Sequence, residues 1–313
     1  MTASEEERTP GWGTAVALGV AVLLLAVLDA LPLVALPLAV LLLAFPGGRR
    51  LKWIVAGLAI WILITILPGG PLGVLSRGWG LILGSVFVAT TLIRPTWGVL
   101  PRALTSVALA LVGTSMGLAL SGDVEAVDLM MQSHFLEASE MAFADLKARM
   151  PDSEWVAEFG SATRRVATVQ WRVFPAVLAL QSLAALAMAS WWIARFRGDA
   201  ATRFRLRPLR DFRFSDQLIW VFITGLALVL IPLGADATRT GYNALLFMGG
   251  LYALRGIAVF IFLIGGAPTF LMMIIGAIAA IFLYPFILTA ALLVGVGDTW
   301  LDVRGRARPA TRP

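Results

Sequence analysis

Cysteine is absent from the 313 residues, and histidine and asparagine occur once each, as His134 and Asn243. The first absence excludes disulfides, thiolate metal sites and cysteine nucleophiles. With one histidine and no thiol, no cluster of metal ligands is expected, and no cofactor is implied. Charge is scarce as well: 14% of residues are Asp, Glu, Lys or Arg, against about 25% in soluble domains. Lysine contributes only Lys52 and Lys147, so the net charge of +6 is almost wholly arginine.

What is present is apolar. Hydrophobic residues make up 59% of the chain, mean hydropathy is +0.86, and runs long enough to cross a bilayer recur along it. The composition predicts an all-α, polytopic transmembrane bundle of about 8 to 10 helices in a bacterial cytoplasmic membrane. No soluble catalytic domain fits beside it, so an enzyme is not expected. The acidic start MTASEEERTP lacks the basic character of a signal peptide and reads as uncleaved.

Residues 241–265, GYNALLFMGGLYALRGIAVFIFLIG, carry Arg255 inside such a run. A helix would put it about 18 Å from Asn243 and about 15 Å from Gly265, near the midplane. Burial there costs at least about 2.5 kcal/mol, which makes an intramembrane cation a candidate functional group. Asp29 and Asp298, each at a helix end, are its expected counter-charges, with Asp236 a more exposed third. Met248, Tyr252 and Arg255 share a helix face with Gly256 beside it, a spacing that suits a cavity wall. Gln181 and Asn243 complete the expected substrate-binding set. A structural salt bridge or a snorkelling arginine competes with this reading.

Three regions follow from composition. Residues 1–121 hold five predicted spans, with a basic connector GGRRLK at 47–52 and a Pro/Gly-rich loop or re-entrant turn before a span at about 79–93. Arg94 and Arg102 fit a cytoplasmic loop. Gly13, Ala17 and Ala21 form a small-residue stripe on the first helix, suited to close helix packing or to a docking partner. Residues 122–172 hold nine Asp/Glu against five Lys/Arg. Their periodicity predicts an extracytoplasmic helical hairpin with stripes Val124, Val127, Met131, Phe135, Ala138, Ala142, Leu146 and Trp155, Phe159, Ala162, Val166, Val169, Val173, broken at Pro151. The second helix is expected to continue into a span at about 173–194.

Residues 173–313 contain RFRGDAATRFRLRPLRDFR at 195–213, with seven Arg against two Asp. This is the strongest cytoplasmic marker, in contact with lipid headgroups and not with nucleic acid. Spans at about 217–233 and 241–265 follow, separated by a loop GADATRT. Residues 269–297 then suit two short helices folded at Tyr284 and Pro285, which puts both termini in the cytoplasm. Gly113-Thr114-Ser115-Met116-Gly117 matches the serine-hydrolase pattern, but without a preceding strand or a nearby histidine it reads as a small-residue packing site.

Four segments carry a resemblance: FPAVLALQSLAALAMASWWIARFR, DFRFSDQLIW, the stretch from Asn243 to Phe260 containing YALRGIAVF, and VGVGDTWLDVRGR. Their order resembles the YybS-like family of predicted bacterial membrane proteins. The first five helices are similar to S components of energy-coupling-factor transporters. That likeness implies a small-molecule ligand held among the helices, and a coupling membrane protein with an ATPase as partners docking on Gly13, Ala17 and Ala21. A solute-binding or transport subunit is therefore the expected function, with a non-transporting scaffold for envelope partners as the alternative.

Overall fold

The computed structural model describes residues 37, 71–150, 154–197, 204, 206–265 and 283–307. Their regular structure is all helical: α1 Pro71–Ile93, α2 Val99–Ser121, α3 Val124–Arg149, α4 Glu154–Arg197, α5 Ile219–Leu230, α6 Ala235–Ile264, α7 Tyr284–Leu301 and α8 Val303–Arg306. Two 3₁₀ turns, Leu209–Asp211 and Asp216–Leu218, precede α5. Leu72–Ile93, Val99–Ser121, Glu158–Ala194 and Ala235–Ile264 are long and apolar enough to cross a membrane, and Asp216–Leu230 and Pro285–Leu301 are shorter apolar helices.

Helix α1 starts earlier than its predicted span at about 79. It is described from Pro71 onward. From there on, the expected outer loop is helix. The expected span at 217–233 shortens to the 12 residues of α5, because 3₁₀ geometry at its start and Pro232 after its end confine it. The GADATRT loop is also helical from Ala235: Gly234, at φ +107°, opens α6, and its carbonyl accepts the Thr238 N–H. Asp236 in the first turn suits the positive end of the helix dipole.

Helix α6 is the hub, packing against α4, α5, α7, α8 and the 209–211 turn. Its Met248, Leu251 and Tyr252 enter a core with Trp79, Leu83 and Phe87 of α1, Val107 of α2, and Leu186 and Ile193 of α4. Glycines set the closest approach. A side chain on Gly256 would collide with the Ala291 carbonyl of α7, and one on Gly295 would collide with the Tyr252 carbonyl of α6. The reversed order of those pairs makes α6 and α7 antiparallel.

Helix α3 runs antiparallel to the first half of α4, through Phe135 against Phe174, Glu140 near Arg164 and Phe143 against Gly160. The contact faces follow the predicted stripes in part: Val127, Met131, Phe135, Leu146, Phe159 and Val173 are half-buried. Val124, Ala138, Ala142, Ala162, Val166 and Val169 are exposed, whereas Ser139, Val156, Gly160 and Ala167 are buried. Small residues define this contact because they let the Phe143 ring approach the α4 backbone.

Gly113 and Gly117 also differ from expectation. Both are exposed, with nothing described within 4 Å of a Cβ placed on either, so no packing partner meets them among the described residues.

Candidate functional site

Arg255 is 2% exposed and fully engaged. Its Nε donates to Asp298 Oδ2 at 3.0 Å, one terminal nitrogen to the Asp298 carbonyl at 3.2 Å, and the other to Asp216 Oδ1 at 2.7 Å. Asp298, 1% exposed, also accepts from Arg304 at 2.9 Å on the same Oδ2. Arg304 is itself 2% exposed and donates to the carbonyls of Arg210 and Phe212 at 3.0 and 2.9 Å. Two buried guanidinium groups thus share one buried carboxylate, and Asp216, whose side chain is 63% exposed, supplies the second negative charge.

The local sequence explains how the group assembles. Asp298 lies one turn before the end of α7, and Asp302 follows in a left-handed conformation, φ 41°, which aspartate tolerates better than most residues. That turn starts α8 and brings Arg304 back over Asp298. Arg213 pairs with Asp302 and holds its carboxyl below the usual range, aided by the Gly305 N–H and Arg304. Across from it, Phe214 and Phe222 meet the buried Tyr252 ring edge-on at 5.1 and 5.9 Å, and Phe214 lies under the Arg255 guanidinium. The connector from 206 to 218 is thereby fixed to α6 by charge and by aromatic packing together.

Of the expected site residues, Arg255, Tyr252 and Asp298 come together. Met248 and Tyr252 pack into the core, and Gly256 lies against α7, so this face is helix contact and not the suggested cavity wall. Asp236 is exposed at the far end of α6. Gln181 is half-buried on α4 and has no described hydrogen bond to the group. Asp29 and the docking stripe Gly13, Ala17 and Ala21 lie outside the described residues, as does Lys52. His134 is exposed, and no group of three His, Asp or Glu side chains suited to a metal occurs among the described residues.

Asn243 belongs to a second site. Its Oδ1 accepts the Ala176 N–H at 2.9 Å and its Nδ2 donates to the Arg172 carbonyl at 2.8 Å. Arg239, one turn earlier, contacts the Arg172 and Trp171 carbonyls, stacks on the Trp171 ring at 4.6 Å and pairs with Asp128 of α3 at 2.6 Å.

Sequence reasoning missed Asp216, Arg304, Arg239 and the burial of Arg102. Arg102 was expected in a loop, but it is 0% exposed in the first turn of α2, bonded to Gly98 and Thr91 and under the Phe204 ring. Aromatics interleaved with arginine at 204–214 were the available signal: Phe204 and Phe214 each cover a buried guanidinium.

Buried polar atoms remain in the Arg255 group. Asp298 Oδ1 and Arg304 Nε have no hydrogen-bond partner among the described residues, although buried polar atoms are normally paired. The two guanidinium groups are balanced by two carboxylates, one buried and one exposed.

A model of a family described as "Predicted membrane protein (DUF2232)" matches residues 14–299. No curated protein and no solved structure matches the chain.

Proposed function

The chain belongs to this family of predicted membrane proteins, and from that premise we propose that it is a solute-binding or transport subunit. Its ligand is a small anion taken at Arg255, and it catalyses no reaction. One observation carries the proposal: the two carboxylates on Arg255 are held unequally. Removing one partner of a buried ion pair costs about 3–5 kcal/mol, while an exposed pair is worth about 0–1 kcal/mol. Asp298, 0% exposed in its side chain, is therefore the fixed counter-ion, and Asp216, 63% exposed, is the one an anionic group can replace. The unpartnered Arg304 Nε adds a donor that suits the same anion.

In this reading the protein sits in the bacterial cytoplasmic membrane with both termini in the cytoplasm and the α3–α4 pair on the opposite side. A coupling membrane protein and an ATPase are the partners, docked through Gly13, Ala17 and Ala21 of the S-component-like first helix. Thermal unfolding of the detergent-solubilised protein with acetate, succinate or inorganic phosphate tests the site. At least one of these anions raises the midpoint of the native protein and none raises that of Arg255→Ala, which still inserts and stays monodisperse. Failure of Arg255→Ala and Arg255→Lys to fold, or an unchanged response, overturns the proposal in favour of a structural ion pair.

A scaffold for envelope partners is the second reading, favoured by Leu129 and Met141, 58% and 69% exposed on α3. Purification with native partners separates the two. An ATPase lost on Ala17→Leu supports transport, and recovery of wall or division proteins alone supports the scaffold.

A further inference from the structure

Pro175 lies inside the continuous helix α4. Lacking an N–H, it cannot serve the Trp171 carbonyl one turn back, and in an apolar setting an unserved carbonyl is costly. Arg239 donates to that carbonyl at 3.4 Å. The next rung joins Ala176 to Arg172 in an ideal helix, and Asn243 brackets both of its groups, accepting from one and donating to the other. The only asparagine in the chain thus stands where an amide, with a donor and an acceptor on one planar group, is the side chain that fits both. Asn243 also donates to the Arg239 carbonyl at 2.9 Å, which fixes the pair on α6.

We infer that Arg239 and Asn243 form a releasable splint across the proline break of α4, and that the α3–α4 pair reorients about residues 171–176 when the splint lets go. The break divides α4 into a first half that packs on α3 and a second half that enters the core with Leu183, Leu186 and Ile193. Arg239 ties the first half to α6, since it holds the Trp171 and Arg172 carbonyls and also pairs with Asp128 on α3, and Asn243 spans the break. Helix rungs at 171 and 172 are served by side chains of another helix, so α4 bends here when α6 shifts along it. Elsewhere in α4 bending would break rungs of its own backbone. The hinge is independent of any ligand at Arg255, about 18 Å further along α6.

The absence of cysteine makes the test direct. Spin labels on Glu137→Cys of α3 and Ser85→Cys of α1, both exposed positions, report the distance between the pair and the core in lipid nanodiscs. Asn243→Leu broadens that distance distribution and speeds amide exchange over 172–176 about tenfold, the factor expected for one net hydrogen bond. In a Pro175→Ala background both effects disappear, because without the ring α4 can close its own Ala176-to-Arg172 rung and the restored N–H serves the Trp171 carbonyl. An unchanged distribution in Asn243→Leu overturns the inference, and so does an equal effect in both backgrounds, which would make Asn243 a packing residue. If Asn243→Leu does not fold, Arg239→Gln is read against Pro175→Ala by the same criteria.

Discussion

Asp298 and Asp216 differ only in surroundings, and that difference decides what each can do. Alanine at 298 leaves two guanidinium groups buried without their shared partner, and a loss of about 3–5 kcal/mol is expected. Alanine at 216 is expected to cost no more than about 1 kcal/mol, because the lost carboxylate is solvated. Denaturant unfolding of the two variants in detergent checks the ranking; equal losses would mean that Asp216 is also structural. Arg255 was legible in the sequence because a lone cation in an apolar run has no local explanation, and Asp298 because it ends a span. Asp216 and Arg304 were not. Each sits beside other charges in a segment that topology rules alone account for, and only folding brings the two segments to α6.

At the scale of elements, periodicity located helices better than it assigned their faces. The stripes predicted across 124–173 contain half-buried members such as Phe135 and Phe159 but also alanines and valines that face outward, and the α3–α4 contact is closest where Gly160 lets the Phe143 ring approach. The same logic governs α6 against α7. Alanine at Gly256 must push α7 away from its Ala291 carbonyl, for an expected loss of about 1–3 kcal/mol or more. Alanine at Gly249, which has nothing within 4 Å, is expected to be neutral or to stabilise by about 0.4–1 kcal/mol. Thermal midpoints of the two variants test this, and matching losses would show that the helices are not held by close approach at Gly256. Helix α5 was overestimated for a related reason. Apolar residues after Asp216 read as one span, but the aromatic and charged contacts of the connector hold 209–218 in turns and leave 12 residues for the helix.

For the molecule as a whole, the four sequence segments that carry the resemblance meet in two places. DFRFSDQLIW, YALRGIAVF and VGVGDTWLDVRGR supply Asp216, Arg255, Asp298 and Arg304 to one charge group, and FPAVLALQ supplies the proline break that Asn243 bridges. Helix α6 carries Arg255 of the first meeting point and Arg239 and Asn243 of the second, which is why it organises the described fold. The chain's length and apolar runs indicated a membrane bundle directly; which loop residues its interior takes up was settled by tertiary packing. The central claim is that Asp216 holds the place of an anion on Arg255. It is tested most directly by titrating inorganic phosphate and succinate into Asp216→Asn and following the thermal midpoint against the native protein. The account predicts stabilisation at lower anion concentration in Asp216→Asn, about fivefold lower for a competing contact worth about 1 kcal/mol. A variant that is no more responsive than the native protein to either anion would contradict it.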